Sequence, residues 1–182
     1  SGTILAAFAI VRERERGTLE QLMVTPVSPL GVVVGKLVPY LVLAFIQLGL
    51  ILFLMTAAFR VPIHGSLALL LALATVYLIA LLSLGMLVSS RASTQAEAIQ
   101  MAMGVMLPSV LLSGYIFPLS SLPAPIAALS QLLPATHFIA ITRGIVLRAA
   151  GFADLWEHVA ALAAISTVLV LVSSRAFRKT IS

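Results

Sequence analysis

The sequence contains no cysteine, which excludes disulfides, thiolate metal sites and cysteine nucleophiles and says nothing about redox compartment. Charge is scarce as well. Only 9% of the 182 residues are charged, where a soluble domain carries about 25%. Acidic residues number six and basic ones eleven, and tryptophan occurs once. Catalytic signatures are missing too: the chain has no G-x-x-x-x-G-K-[ST] phosphate loop, no H-E-x-x-H and no G-x-S-x-G. Nucleotide chemistry would have to come from another chain or another domain.

What the sequence has instead is apolar surface. Hydrophobic residues make up 61% of it and the mean hydropathy is +1.16, which reads as a polytopic, all-α membrane helix bundle in a single transmembrane domain over residues 1–182. In a soluble domain the net charge of +5 would suggest nucleic acid. Here the basic residues stand between apolar runs, so they read as topology signals with the lipid bilayer as partner and no nucleic acid.

Ser1 to Val11 lacks the basic region and cleavage site of a signal peptide and is too short to span, so it is expected to be the inner end of a truncated span. Residues 12–27 follow as an island of alternating charge. Spans are expected at 37–59, 66–90, 98–118 and 155–174, with Ser28-Pro29 starting the helix that leads into the first. Pro108 should kink the third.

Between the last two spans, Pro118, Pro123, Pro125 and Pro134 cut residues 119–151 into pieces too short to span and too apolar for a solvated loop. They read as an outer re-entrant helical hairpin, with Thr136 as a candidate N-cap. Asp154 and Glu157 have capping-box spacing before the last span. On this layout one side of the membrane receives eight Lys and Arg residues and the other three, namely Arg60, Arg143 and Arg148. The positive-inside rule then places the island and the C-terminus in the cytoplasm.

Within the island, Thr18 is placed to cap a two-turn amphipathic helix that Pro26 ends, with Leu19, Leu22 and Met23 on one face. Arginines alone would serve as a topology anchor. Glu13, Glu15 and Glu20 add nothing to anchoring, and mixed charge suits docking to a protein. Gln47 and Gln100 are the costliest polar groups to bury in the spans and are expected to face protein or a cavity, either as interhelical contacts or along a substrate path with Pro108. Arg143 is a candidate for an internal ion pair. His64, His137 and His158 are far apart in sequence without ligand spacing, and read as packed or interfacial residues with no metal site.

Two blocks carry a resemblance. Glu13-Arg14-Glu15-Arg16-Gly17-Thr18-Leu19-Glu20-Gln21-Leu22, with Thr25-Pro26 after it, resembles the cytoplasmic motif of type-2 ABC transporter permeases. Leu112 to Pro118, Leu132 to Phe138 and Arg143 to Arg148 are similar to that family's outer hairpin and the approach to its last span. The family often has Asn before the hairpin proline, where this chain reads Leu133-Pro134.

The resemblance extends over nearly the whole chain and is closest to the bacterial multidrug-type exporters of the plasma membrane. It implies a C-terminal fragment of a permease subunit, paired with a second permease half and with separate ATP-binding subunits. ATP and magnesium would be bound by those partner subunits, and this chain would hold no cofactor and catalyse no reaction. Glu13, Arg14, Glu15, Gly17, Thr18, Glu20 and Leu22 would form the coupling surface. Movement of that surface would drive alternating access for a drug or lipid-like substrate. The rival readings are an ATP-independent channel or structural component, and a lipid-processing membrane enzyme using a serine or histidine.

Overall fold

Residues 29–58, 60 and 63–181 are described in a computed structural model of the chain. The coupling segment expected at 12–27, with Glu13 to Leu22, and the span end expected at 1–11 lie outside the described residues. All regular structure among the described residues is helical.

Helix α1 (Pro29–Ala57) begins on a proline, where the missing N–H would have had no helical partner. Helix α2 (Leu67–Arg91) begins at Ser66, whose hydroxyl accepts from the Leu69 amide. Helix α3 (Gln95–Leu112) is capped twice: Thr94 Oγ1 accepts from the Glu97 amide, and the Glu97 carboxylate accepts from the Ser93 amide at 2.8 Å. These caps let α2 and α3 be joined by three residues, so they run antiparallel.

Both interior prolines stand four residues after a glycine, Gly35 before Pro39 and Gly104 before Pro108. The carbonyl that a proline ring crowds is the one four residues back. A methyl at Gly104 would meet nothing within 4 Å, and the helix continues through Pro108. It stops at Leu112, short of the expected Pro118. Gly114 adopts a left-handed φ of 82° that a helix cannot include, and the Ser113 hydroxyl folds back to the Val110 carbonyl. Pro118 then starts a single 3₁₀ turn, Leu119–Ser121.

The proline-cut region forms two helices, α4 (Ala124–Ser130) and α5 (Pro134–Arg148), bent by 82° at their junction. Helix α6 (Phe152–Ile181) closes the described chain. Its start corrects the capping assignment. Asp154 lies in the first turn and its carboxylate accepts from the Gly151 amide at 3.0 Å, so it reaches back to the cap position and does not occupy it.

Among the described residues four helices are long and apolar enough to cross a membrane, over Val38–Ala57, Leu67–Arg91, Gln95–Leu112 and Phe152–Ala176, and α4 with α5 would make a fifth if taken as one broken span. The chain is a multi-pass membrane protein. Its core lies where α2, α5 and α6 meet, around Leu70, Leu73, Ile141, Ile145, Leu155 and Leu162. Helices α2 and α6 pack most extensively and run parallel, and the Ser166 hydroxyl donates across to the Val76 carbonyl at 3.2 Å. Small buried residues on α2, among them Ala74, Ala80, Ser83 and Gly85, allow close approach where lipid supplies no hydrophobic drive. Helix α1 is peripheral: from Val38 onward Ala44 is its one buried hydrophobic residue, and Ile46, Leu50 and Phe53 are exposed.

Candidate functional site

Helix α5 lies antiparallel to α2. Near its end, Val146 accepts from both the backbone amide and the Nδ1 of His64, each at 3.3 Å, so His64 carries its proton on Nδ1. Near its beginning, Phe138 stacks on Tyr77 with ring centroids 4.2 Å apart and planes 7° from parallel. Tyr77 lies ten residues into α2, about 15 Å along the axis from its start. The α4–α5 turn is therefore the part of the hairpin farthest from the loop that precedes α2.

A turn at that position exposes the last carbonyls of α4, which have no partner within their own helix. Side chains from the first turn of α5 take them up. Thr136 Oγ1 donates to the Ser130 carbonyl at 2.6 Å, and His137 Nε2 donates to the Gln131 carbonyl at 2.8 Å. Thr136 thus ties the two helices together and does not cap α5, which starts at Pro134 with no side-chain cap. Ser130, Thr136 and His137 are all buried.

His137 has a second partner. Its Nε2 must carry the proton, because a carbonyl only accepts, so its Nδ1 presents a lone pair. His158 Nδ1 on α6 lies 3.3 Å away and donates to it. A relay results, from α6 through two imidazoles to the end of α4. The sequence separation of 21 between the histidines concealed this contact, which the tight turn from α5 into α6 creates. Both Nδ1 atoms and His137 Nε2 are engaged. Among the described residues no group of three or more candidate ligands gathers around a metal position.

In front of the hairpin turn is a cavity of about 350 Å³. Tyr77, Leu81 and Leu84 of α2 form one wall, and Val105, Met106 and Ser109 of α3 another. Pro134, Ala135 and Ile139 of α5 close it, with Ile165 and Leu169 of α6 behind. Its rim carries Tyr115 and Leu132, each 68% exposed. No charged side chain among the described residues lines it. The hydroxyls of Ser109 and Ser113 already donate to the carbonyls of Val105 and Val110, which leaves the phenol hydroxyls of Tyr77 and Tyr115 as the polar side-chain groups on its walls.

The other site residues expected from sequence disperse. Gln47 and Gln100 lie on exposed faces of α1 and α3 and line no part of the cavity. Pro108 is within α3 beside the cavity but outside its lining, whereas Pro134 lines it. Arg143 is exposed, on the side of α5 opposite the buried His137, Ile141 and Gly144, and among the described residues it has no ion-pair partner. Among the described residues the internal ion pair expected there is not formed, and Arg143 stands on an exposed face of α5. The cavity and the histidine relay were not found from sequence. Their signal was the dense run from Leu132 to Phe138, whose members converge on one place.

Residues 1–175 match the model of a family described as "ABC-2 family transporter protein". The chain belongs to the ABC-2 transporter family. Relatives within it include "Probable multidrug ABC transporter permease YbhR" of Escherichia coli (strain K12), 34% identical over 97% of this chain and 48% of that protein. "Inner membrane transport permease YhhJ" of the same organism is 32% identical over 98% of this chain and 48% of its own length. A more distant similarity reaches "ABC transporter G family member 20" of Dictyostelium discoideum, 31% identical over 92% of this chain and 23% of that protein. The chain spans about half the length of the bacterial ABC-2 relatives it matches. No solved structure matches it.

Proposed function

We propose that this chain is part of the permease subunit of an ATP-driven exporter in a bacterial plasma membrane. Its ABC-2 family membership over residues 1–175 carries the proposal. Two relatives named as probable multidrug ABC transporter permeases, which match nearly the whole chain or four-fifths of it, support the direction. Partner ATP-binding subunits hold ATP and magnesium, and a second permease half completes the translocation path. The uncovered apolar faces of α1 and α3 suit packing against the remainder of such an assembly.

The hairpin of α4 and α5 is re-entrant from the outer side in this proposal. The Tyr77–Phe138 stack, well along α2, and the side-chain bonds closing the α4 terminus support that reading, since backbone groups at membrane depth need internal partners. Alternating access is a shift between two packings driven by differential binding energy from the ATPase side, transmitted through residues 12–27. Reversing charge with Glu15→Lys and Glu20→Lys in the full permease is expected to lower ATP-dependent transport at least about tenfold, the effect of losing roughly 1.4 kcal/mol of coupling. Membrane insertion and protein level should be unchanged. Normal transport by the double variant would remove the coupling assignment.

A further inference from the structure

We infer that the cavity between α2, α3, α5 and α6 is a binding site for one aliphatic lipid chain, held within a single permease subunit. Three observations carry this. The lining is mostly apolar and, among the described residues, uncharged; the Ser109 and Ser113 hydroxyls on it are occupied by their own helix, which leaves only the phenol hydroxyls of Tyr77 and Tyr115 to meet polar groups, so a ligand gains nothing there by bringing charge. The shape follows the helices. From Val105 to Ser113 the α3 wall extends about 12 Å along the axis at 1.5 Å per residue. One leaflet's hydrocarbon is about 15 Å deep, half of the roughly 30 Å core, so a chain aligned with the helices matches that length.

The third observation is the opening. Tyr115, just beyond α3, and Leu132, on the α4–α5 turn, are both on the rim and both largely exposed. The mouth thus lies between the end of one membrane helix and the innermost turn of the hairpin. A chain enters sideways from bilayer hydrocarbon and moves from one apolar medium to another. Recognition then comes from shape, since fixed walls on four helices contact the chain more closely than mobile neighbours do. Tyr77 stacked on Phe138, and the proline ring of Pro134, keep those walls stiff. The site needs neither ATP nor a coupling segment, so it stands or falls separately from the transport proposal.

The test uses the full-length permease in vesicles of phosphatidylethanolamine in which a fraction of the lipid carries a diazirine midway along one acyl chain. After photolysis, labelled peptides are mapped by mass spectrometry. Labelling is expected to concentrate on Val105 to Ser113 and Leu132 to Ile139, above the level on the exposed residues of α1. Filling the cavity with Ala135→Trp, or independently with Ser109→Phe, should lower that labelling roughly tenfold or more, because the buried chain loses its place, while α1 labelling stays constant. Two variants on different helices guard against one failing to fold, and each is compared with the parent by thermal unfolding.

A parallel arm with diazirine-bearing palmitate separates the sources. Equal labelling by both probes assigns recognition to the chain alone, and labelling by the phospholipid only assigns it to a chain with its headgroup attached. The inference is overturned if the cavity peptides label no more than α1, or if the filled, folded variants label like the parent. It is also overturned if Ser109→Cys forms a disulfide with a cysteine placed in the permease's own upstream segment, which would show protein filling the space.

Discussion

Where the end of α5 meets the loop before α2, two small residues face opposite constraints. A methyl at Gly65 would stand against the Ile145 carbonyl and 2.8 Å from its Cγ2, so only glycine permits the approach that brings His64 to Val146. Gly65→Ala is expected to cost about 1–3 kcal/mol through overpacking, seen as a lower unfolding temperature. Ala149 has the reverse problem. It ends α5 in the left-handed region at φ 52°, where the amides of Ala149 and Ala150 both reach the Gly144 carbonyl. A side chain is unfavourable in that conformation by about 1–2 kcal/mol, so Ala149→Gly should raise stability by on the order of 1 kcal/mol. An unfolding temperature that falls would contradict the cap geometry.

At the scale of elements, the hairpin holds because backbone amides of the turn take the Ala128 and Leu129 carbonyls, and Thr136 and His137 of α5 donate to those of Ser130 and Gln131. His137→Leu leaves the Gln131 carbonyl without that donor and should cost about 0.5–1.5 kcal/mol, the net contribution of one hydrogen bond. His158→Leu should cost less, since His158 is only partly buried and bonds the ring of His137 in place of backbone. Thermal unfolding of both variants in the same lipid checks the order, and equal losses would mean the relay acts as one unit. Some starts of these elements were legible in the sequence, because Pro29 and Ser66 mark them by local chemistry, whereas α5 was expected to start at Thr136 and starts at Pro134. Their pairing was not legible. Spans that are apolar on every side carry no stripe to say which face meets which neighbour. The cavity and the two-histidine contact depend on that pairing, and residues singled out for polarity alone, Gln47, Gln100 and Arg143, fall outside both.

For the molecule as a whole, the eight-to-three division of Lys and Arg predicts which loops share a side. Single cysteines at Ser93 and Gly151 of the full permease, treated with a membrane-impermeant maleimide on intact cells, should react only at Gly151. Ser93 should become reactive once the membrane is opened, and the opposite pattern would invert the orientation. The parallel pairing of α2 with α6 has a consequence for how the chain is made. Val76 and Ser166 meet across 90 residues, so α2 leaves the ribosome long before its principal neighbour exists. Until α6 arrives, the face bearing Leu70, Leu73 and the small residues of α2 has α5 beside it but lacks its most extensive neighbour. Assembly of this core therefore waits for α6, and a chain stopped before Phe152 should be recognised as unfinished and degraded by membrane quality control.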